Sequence, residues 1–418
     1  MPAPIRPVVL LGARLLDGRS PDAIADGVVV TDDRGRIAAA GPASATAIPR
    51  DAERIDAAGL TVLPGIIDCH VHLAYLKLEP LDEQVRHSST DVVVRALQTG
   101  REFLEGGVTT VRDAGYAPAG IRRAFASGAF PGPRTQVSIH PLSQTGGHAD
   151  DWTLSGAIVK TEMSDLPCGV ADGVNAVRRA TRLQIRAGAD WIKVMATGGV
   201  LSATDTPDAS QFTIEEIRAI VEEAKAAGIR GTMAHAEGTA GIKNALRAGI
   251  TSIEHGDLID DEGIDLMLER DVPLVPTFAI NFALMDEGRV ARGEIPPWVV
   301  DKVRYLFDRQ QVNFRHAVER GVRVVMGTDS FRGMYPPAEL AYMAAHGLGA
   351  FRALQAATTE AARLLGLADQ VGTLEAGKQA DLIAVSGDPL ADPELWRDPA
   401  RIVFVMQGGR VAADRRGA

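Results

Sequence analysis

Between residues 61 and 365, short apolar runs alternate with segments of helical periodicity, and this alternation restricts the chain to few architectures. The runs are Leu63 to His72, Val108 to Asp113, Thr135 to His140, Trp191 to Ala196, Gly231 to Ala236, Ser252 to His255, Leu274 to Phe278 and Val322 to Thr328. Helical patterns lie near Ile121 to Ala126, at Glu215 to Ala227 and at Ala240 to Ala248. Eight strands alternating with helices over roughly 300 residues predict an α/β fold of the (β/α)8 TIM-barrel type. An open doubly wound sheet is the alternative, but no Gly-x-Gly-x-x-Gly follows an early strand.

The two ends read differently. Val8 to Leu11, Gly27 to Thr31 and Arg36 to Ala40 are short strands divided by polar turns. They are too few to bury a core alone. Asp381 to Ser386 and Arg401 to Met406, with a turn at Gly408-Gly409, supply partners. The expected organisation is a small β-sandwich built from both ends, residues 1–60 and 366–418, around a barrel at 61–365. Three stretches without a regular period, Ser143 to Gly173, Gly198 to Gln211 and Asn281 to Pro297, each follow a barrel strand. Such loops usually bind substrate or cover it.

The strand ends carry the chemistry. His70 and His72 alternate with Cys69 and Val71, so both imidazoles share one face. Lys193 ends the fourth strand, His235 the fifth and His255 the sixth, and Asp329 follows the eighth. In a barrel these ends meet at one rim. A His-x-His pair alone reads equally as a metal site or as structural histidines, whereas six candidate ligands converging on one rim favour metal. Lys193, inside Trp191-Ile192-Lys193-Val194-Met195, is costly to bury as an ammonium. It fits a salt-bridged or snorkelling lysine, a Schiff-base lysine, or a neutral amine that has taken up CO2 to form an anionic carbamate bridging two metals. Asp329 fits a helix cap or a metal ligand that accepts a proton from bound water. On the third-strand loop, His148 fits an exposed histidine or a donor to a developing oxyanion, and His140 competes for that role. His87, His316 and His346 lie in helical patterns and read as structural or exposed.

Composition excludes several classes. The net charge of -10 lacks the basic excess of nucleic-acid binding. Two cysteines, Cys69 and Cys168, make no disulfide framework and fit a reducing compartment. No run approaches the roughly 18 apolar residues of a membrane span, and Val8-Val9-Leu10-Leu11 is too short for a signal peptide. The expectation is a cytoplasmic homo-oligomer that acts on a small molecule, with no nucleic-acid or membrane partner.

The segments Pro64-Gly65-Ile66-Ile67-Asp68-Cys69-His70-Val71-His72, the strand lysine, the two later histidines and Gly327-Thr328-Asp329 resemble the metal-dependent amidohydrolase superfamily. Gly372 to Leu382 resembles the segment by which such chains return to their β-sandwich. Ser143-Gln144-Thr145-Gly146-Gly147-His148-Ala149-Asp150, Pro167-Cys168-Gly169 and Ile192 to Val200 resemble its prolidase-like (Xaa-Pro dipeptidase-type) branch, which includes imidazolonepropionase-related and ochratoxin-hydrolysing members. The resemblance implies two divalent metals, zinc first among them. His70, His72 and Asp329 would bind one, His235 and His255 the other, and carboxylated Lys193 would bridge them. It further implies a metal-bridging hydroxide that attacks an amide carbonyl polarised by His148, with Asp329 passing the proton to the leaving amine. Dipeptidase members often carry Tyr two residues after the fifth-strand histidine, where this chain has Glu237. Glu237 fits a favourable charge at a helix start. Pointed into the site, it would repel a substrate carboxylate or recruit a cation. The expected activity is hydrolysis of a dipeptide or an N-acyl amino acid. The alternatives are hydrolysis of cyclic amides, ureas, carbamates or esters, or a metal-free barrel used for binding or assembly.

Overall fold

The protein is described by a computed structural model covering residues 6–75, 84, 86–151 and 163–417. The N-terminal strands are β1 (Val8–Leu15), β2 (Ile24–Thr31), β3 (Ile37–Pro42), β4 (Glu53–Asp56) and β5 (Leu60–Pro64). A second set follows: β6 (Ile66–Val71), β7 (Val108–Asp113), β8 (Arg134–Val137), β9 (Trp191–Met195), β10 (Gly231–Ala236), β11 (Ser252–His255) and β12 (Leu274–Val275). The chain closes with β13 (Leu382–Ser386), β14 (Ile402–Gln407) and β15 (Arg410–Asp414).

Parallel pairing joins β6 to β7 to β8, and β9 to β10 to β11 to β12. The two groups connect through Leu142, whose N–H donates to Lys193 O at 2.8 Å and whose carbonyl accepts from Met195 N at 2.9 Å. On the far side, Leu274 N donates to Arg323 O and Val325 N to Leu274 O, both at 2.9 Å. Cys69 N then meets Met326 O at 2.9 Å, and His72 N meets Ser330 O at 2.8 Å. The result is a TIM-barrel-like ring whose eighth segment, 322–330, pairs through single bridges rather than as a regular strand.

Helices alternate with the ring: α1 (Ser89–Glu105), α2 (Ala119–Ala126), α3 (Val174–Ala187), α4 (Ile214–Ala226), α5 (Thr239–Ala248) and α6 (Asp261–Arg270). Next come α7 (Phe278–Leu284), α8 (Glu287–Ala291), α9 (Pro297–Arg320), α10 (Ala338–Met343), α11 (Ala350–Ala356) and α12 (Thr359–Leu364). Starts are set by local chemistry. Ser88 with Asp91, and Thr213 with Glu216, form reciprocal capping boxes on α1 and α4. The apolar stripes of these helices, such as Val92, Ala96 and Phe103 on α1 and Ile217 and Ile220 on α4, pack onto the ring in the main core.

Three expectations need correction. Leu274 to Phe278 is a strand only at Leu274 and Val275; Thr277 takes a left-handed backbone (φ 50°) and α7 begins at Phe278. Residues 281–297 are largely helical, in α7 and α8, because Asp286 caps the second of these. His87 precedes the cap of α1 rather than lying in a helix. The irregular character of 198–211 holds, and of the loop 143–173, residues 152–162 lie outside the described residues.

In the second unit, pairing links eight strands in the order β15-β14-β13-β5-β1-β2-β3, with β4 beside β1. The chain ends meet where β13 pairs antiparallel with β5, for example Ala384 opposite Val62. The run read as one strand from Leu63 therefore divides at Gly65, with β5 in this sheet and β6 in the ring. A Cβ on Gly65 would overlap the Thr109 side chain, so the crossing needs glycine. Asp381 ties the two units together. Its carbonyl accepts from Gly65 N at 3.0 Å, and its carboxylate accepts from Arg134 Nη1 at 2.5 Å and Gly408 N at 2.8 Å. Among the described residues, no helix is long and apolar enough to cross a membrane.

Candidate metal centre

The six side chains singled out at the strand ends come together at one rim of the ring. His70 Nε2 lies 3.3 Å from Lys193 Nζ and 3.6 Å from Asp329 Oδ1. His72 Nε2 lies 3.0 Å from the same carboxylate oxygen. The His255 ring centre is 5.2 Å from that of His70 and 4.6 Å from that of His235. Donor atoms of His70, His255 and Asp329 all fall within 4.8 Å of one another. Ligands bound tetrahedrally at 2.0–2.2 Å lie about 3.4 Å apart, so the spacing suits shared ions.

Each histidine is oriented by a partner on its far nitrogen. His70 Nδ1 donates to Glu254 Oε2 at 2.9 Å, His72 Nδ1 to Gly115 O at 3.2 Å and His235 Nε2 to Gly198 O at 2.9 Å. A carbonyl or a carboxylate accepts, so these nitrogens carry the proton and the opposite ones keep their lone pairs. His255 Nδ1 shares a 2.7 Å hydrogen bond with Thr277 Oγ1. This donor set, His70, His72 and His255 through Nε2 and His235 through Nδ1, fits divalent metal chemistry.

Local backbone geometry aims two of the six side chains. Ser252 and Glu254 share one face of β11, and Ile253 takes the other. A regular strand would send His255 to the face of Ile253. Its left-handed backbone (φ 70°) turns the ring back towards His70 and His235. Asp329 is also left-handed (φ 55°). Each such residue stores about 1–3 kcal/mol of strain, typical of functional sites.

His148 stacks on His235 at 4.3 Å, with Nδ1 held 2.7 Å from Ser202 Oγ. His140 is buried behind Tyr116, its Nδ1 bonded to Pro141 O at 3.0 Å and its ring 5.2 Å from the tyrosine. Glu237 is buried with Oε1 3.9 Å from His235 Nε2, and its Oε2 has no hydrogen-bond partner among the described residues. His316 binds Asp261 on the surface, and His346 packs beside Phe278, both away from the centre. Sequence reasoning missed Glu254 and Arg112. Arg112 Nη2 donates to both Glu254 oxygens, at 2.9 and 3.0 Å, in the buried ring interior. The available signal was one charge of each sign, Arg112 in β7 and Glu254 in β11, at positions inside barrel strands.

Residues 61–412 match the model of the amidohydrolase family. The chain is 34% identical to the ochratoxinase of Aspergillus niger over 373 residues, 84% of this chain and 75% of that one. It superposes on a solved Xaa-Pro dipeptidase with bound methionine in its active site at TM-score 0.86 and 31% identity, covering 97% of this chain and 99% of the other. A solved prolidase complexed with N-methylphosphonate-L-proline gives TM-score 0.87 and 35% identity, with the same coverages. The chain belongs to the amidohydrolase family. Within the family it stands in the prolidase-like branch. It is a hydrolase acting on carbon–nitrogen bonds, and the alternative of a barrel used solely for binding falls.

The electrostatics of this amidohydrolase suit a divalent-metal site, as its family typically uses. Burial, reinforced by Lys193, lowers His70 to about 4 and His235 to about 3, and burial with His235 lowers His255 well below the ordinary value. All three are neutral at pH 7, the state that binds metal. Burial also lowers Lys193 to about 8, so about a tenth of its amine is uncharged at pH 7. Burial works against ionisation of Asp329, but His70, His72 and Lys193 outweigh it and bring the carboxyl down to about 2. Burial and then Asp257 and Asp205 push Glu237 well above the carboxylate range.

Proposed function

We propose that this amidohydrolase cleaves the amide bond of a dipeptide or an N-acyl amino acid at a binuclear centre. Its frame would be a complete (β/α)8 barrel of residues 61–365, with 1–60 and 366–418 as the supporting β-sandwich. The observation that carries the reading is the convergence of four oriented histidines, Lys193 and Asp329 on one rim. His70, His72 and Asp329 would hold one ion, His235 and His255 the other, with zinc the ion suited to this nitrogen-rich set. The lowered Lys193 supports a carbamate: its neutral amine would bond to CO2 and lose one proton, giving an anionic group suited to divalent ions. When bound, the ions supply an activated water and draw electron density from the scissile carbonyl.

The chain's own groups complete the reaction. His148, steadied by Ser202 and by the His235 ring, donates to the carbonyl oxygen as negative charge develops there. Asp329, ionised across the working pH range, accepts the water's proton and passes it to the leaving nitrogen. Tyr75, Tyr116 and Phe331, with ring centres 5.8 and 5.9 Å apart, wall the His72 side.

One observation favours a second reading. Among the described residues the buried Glu237 Oε2 beside His235 has no hydrogen-bond partner, and it stands where a substrate carboxylate would need a positive or donating anchor. That favours cyclic amides, ureas, carbamates or esters, or a leaving group that brings a cation. A screen of zinc-loaded protein against acyl-amino acids and dipeptides with neutral, acidic and basic leaving groups, beside lactams, ureas and esters, separates the readings. Turnover confined to the latter set sinks the dipeptide assignment. Replacing Lys193 with Ala should abolish turnover and lower metal content; a fully active variant refutes its role. We further propose a cytoplasmic homo-oligomer without nucleic-acid or membrane partners, consistent with the acidic net charge.

A further inference from the structure

Beneath the histidines lies a buried ion pair that the reaction above does not use. Arg112 and Glu254 are fully buried. Glu254 accepts at both oxygens from Arg112 Nη2, at 2.9 and 3.0 Å, and also from Ser252 Oγ at 2.5 Å and from His70 Nδ1 at 2.9 Å. Arg112 is fixed in turn. Its Nε donates to Cys69 O at 2.6 Å and its Nη1 to Ser252 Oγ at 3.1 Å, and its guanidinium lies 4.6 Å over the Trp191 ring. Buried pairs of this kind are poor investments in stability, because apolar residues of similar volume usually serve as well. The pair therefore calls for another explanation.

The four histidines supply one. His72 and His235 donate to backbone carbonyls, and His255 meets a hydroxyl. Among the described residues, His70 is the one of the four whose far nitrogen, turned away from the centre, meets a carboxylate. An anionic acceptor fixes the ring's tautomer and makes the opposite nitrogen a stronger donor to metal than a neutral acceptor does. Arg112 holds that carboxylate in place and offsets its charge, so the anion can stand in the ring interior. We propose that Glu254, clamped by Arg112, is a positioning residue that locks His70 with Nε2 towards the centre and makes the ion on His70, His72 and Asp329 the more tightly retained of the two. This rests on the binuclear reading of the preceding subsection.

The test is a chelator titration of the metal-loaded protein, followed by elemental analysis and by the visible spectrum of the cobalt-substituted form. The wild type should lose its ions in two steps. Glu254→Gln keeps the shape but removes the charge, and with its oxygen towards His70 its NH2 group faces Arg112 Nη2, a donor against a donor. It should lose the tighter ion at about 10–100-fold lower chelator, merging the steps and altering the cobalt spectrum. The double variant Arg112→Met, Glu254→Leu, which replaces the pair with apolar volume, should weaken the same step while retaining the folded state. Retention of both ions with wild-type affinity and spectrum in a folded variant overturns the proposal. Failure of both variants to fold makes the pair structural and also counts against it. A wild type that binds no divalent ion fails earlier, and refutes the binuclear reading itself.

Discussion

At the residue scale, the centre depends on side chains whose second atoms are occupied. A histidine at a strand end can rotate or change tautomer. Gly115 O, Gly198 O, Thr277 and Glu254 remove that freedom for His72, His235, His255 and His70. His148 is placed differently: it stacks on His235, a proposed ligand, instead of belonging to the proposed set. His148→Ala should lower kcat by about 10²–10³-fold with little change in KM, because the contact strengthens as charge develops. Metal content should not change. Steady-state kinetics with elemental analysis decide it, and an unchanged kcat removes His148 from the reaction.

At the scale of elements, two joints repay mutation. Gly65 lets the chain leave the end sheet and enter the ring within one residue. Gly65→Ala forces its Cβ into Thr109 and should cost about 1–3 kcal/mol, read as a lower urea midpoint. Gly65→Ala with Thr109→Ala should recover part of the loss; no recovery means the strain lies elsewhere. The second joint is the start of α7, where Phe278 N and Ala279 N donate to Glu339 of α10 at 2.9 and 2.7 Å. Burial nevertheless raises Glu339 to about 8, against the lowering effect of those two donors. The folded chain thus holds a proton that the unfolded chain releases near pH 4.5. The contribution is fully present below that pH and is lost as pH rises towards 8, by at most about 1.4 kcal/mol per unit. Glu339→Gln costs one acceptor but has no such slope. Urea midpoints between pH 5 and 8 should fall more steeply for the wild type, whereas parallel curves would show that Glu339 ionises normally.

At the scale of the whole molecule, the proposed ligands come from five segments of the ring spread over 260 positions, so bound ions would tie the ring together. Binding to the folded chain alone adds about 2.7 kcal/mol for an ion at a hundred times its dissociation constant. Chelation should therefore lower the thermal midpoint by several degrees, and re-addition of zinc should restore it. Identical melting curves with and without chelator would contradict a metal site assembled by folding. Much of this architecture was legible. Val108 to Asp113, Gly231 to Ala236 and Ser252 to His255 have the strand bounds that their patterns indicate, because an apolar run flanked by polar turns has few other ways to hide. Leu274 to Phe278 misled, since a short apolar run also describes a strand that hands over to a helix. The pairing of Arg112 with Glu254 was invisible, as 142 positions separate them and neither residue signals its partner.

The amino-acid order by itself determined the alternation of strands and helices, and with it which residues arrive at strand ends, since side-chain periodicity is a local property of the backbone. The tertiary structure alone decided which nitrogen of each histidine faces inward, how a left-handed turn re-aims His255, and which carboxylate stands behind His70. Those outcomes depend on partners that are distant along the chain and are brought within hydrogen-bond reach only when the ring closes.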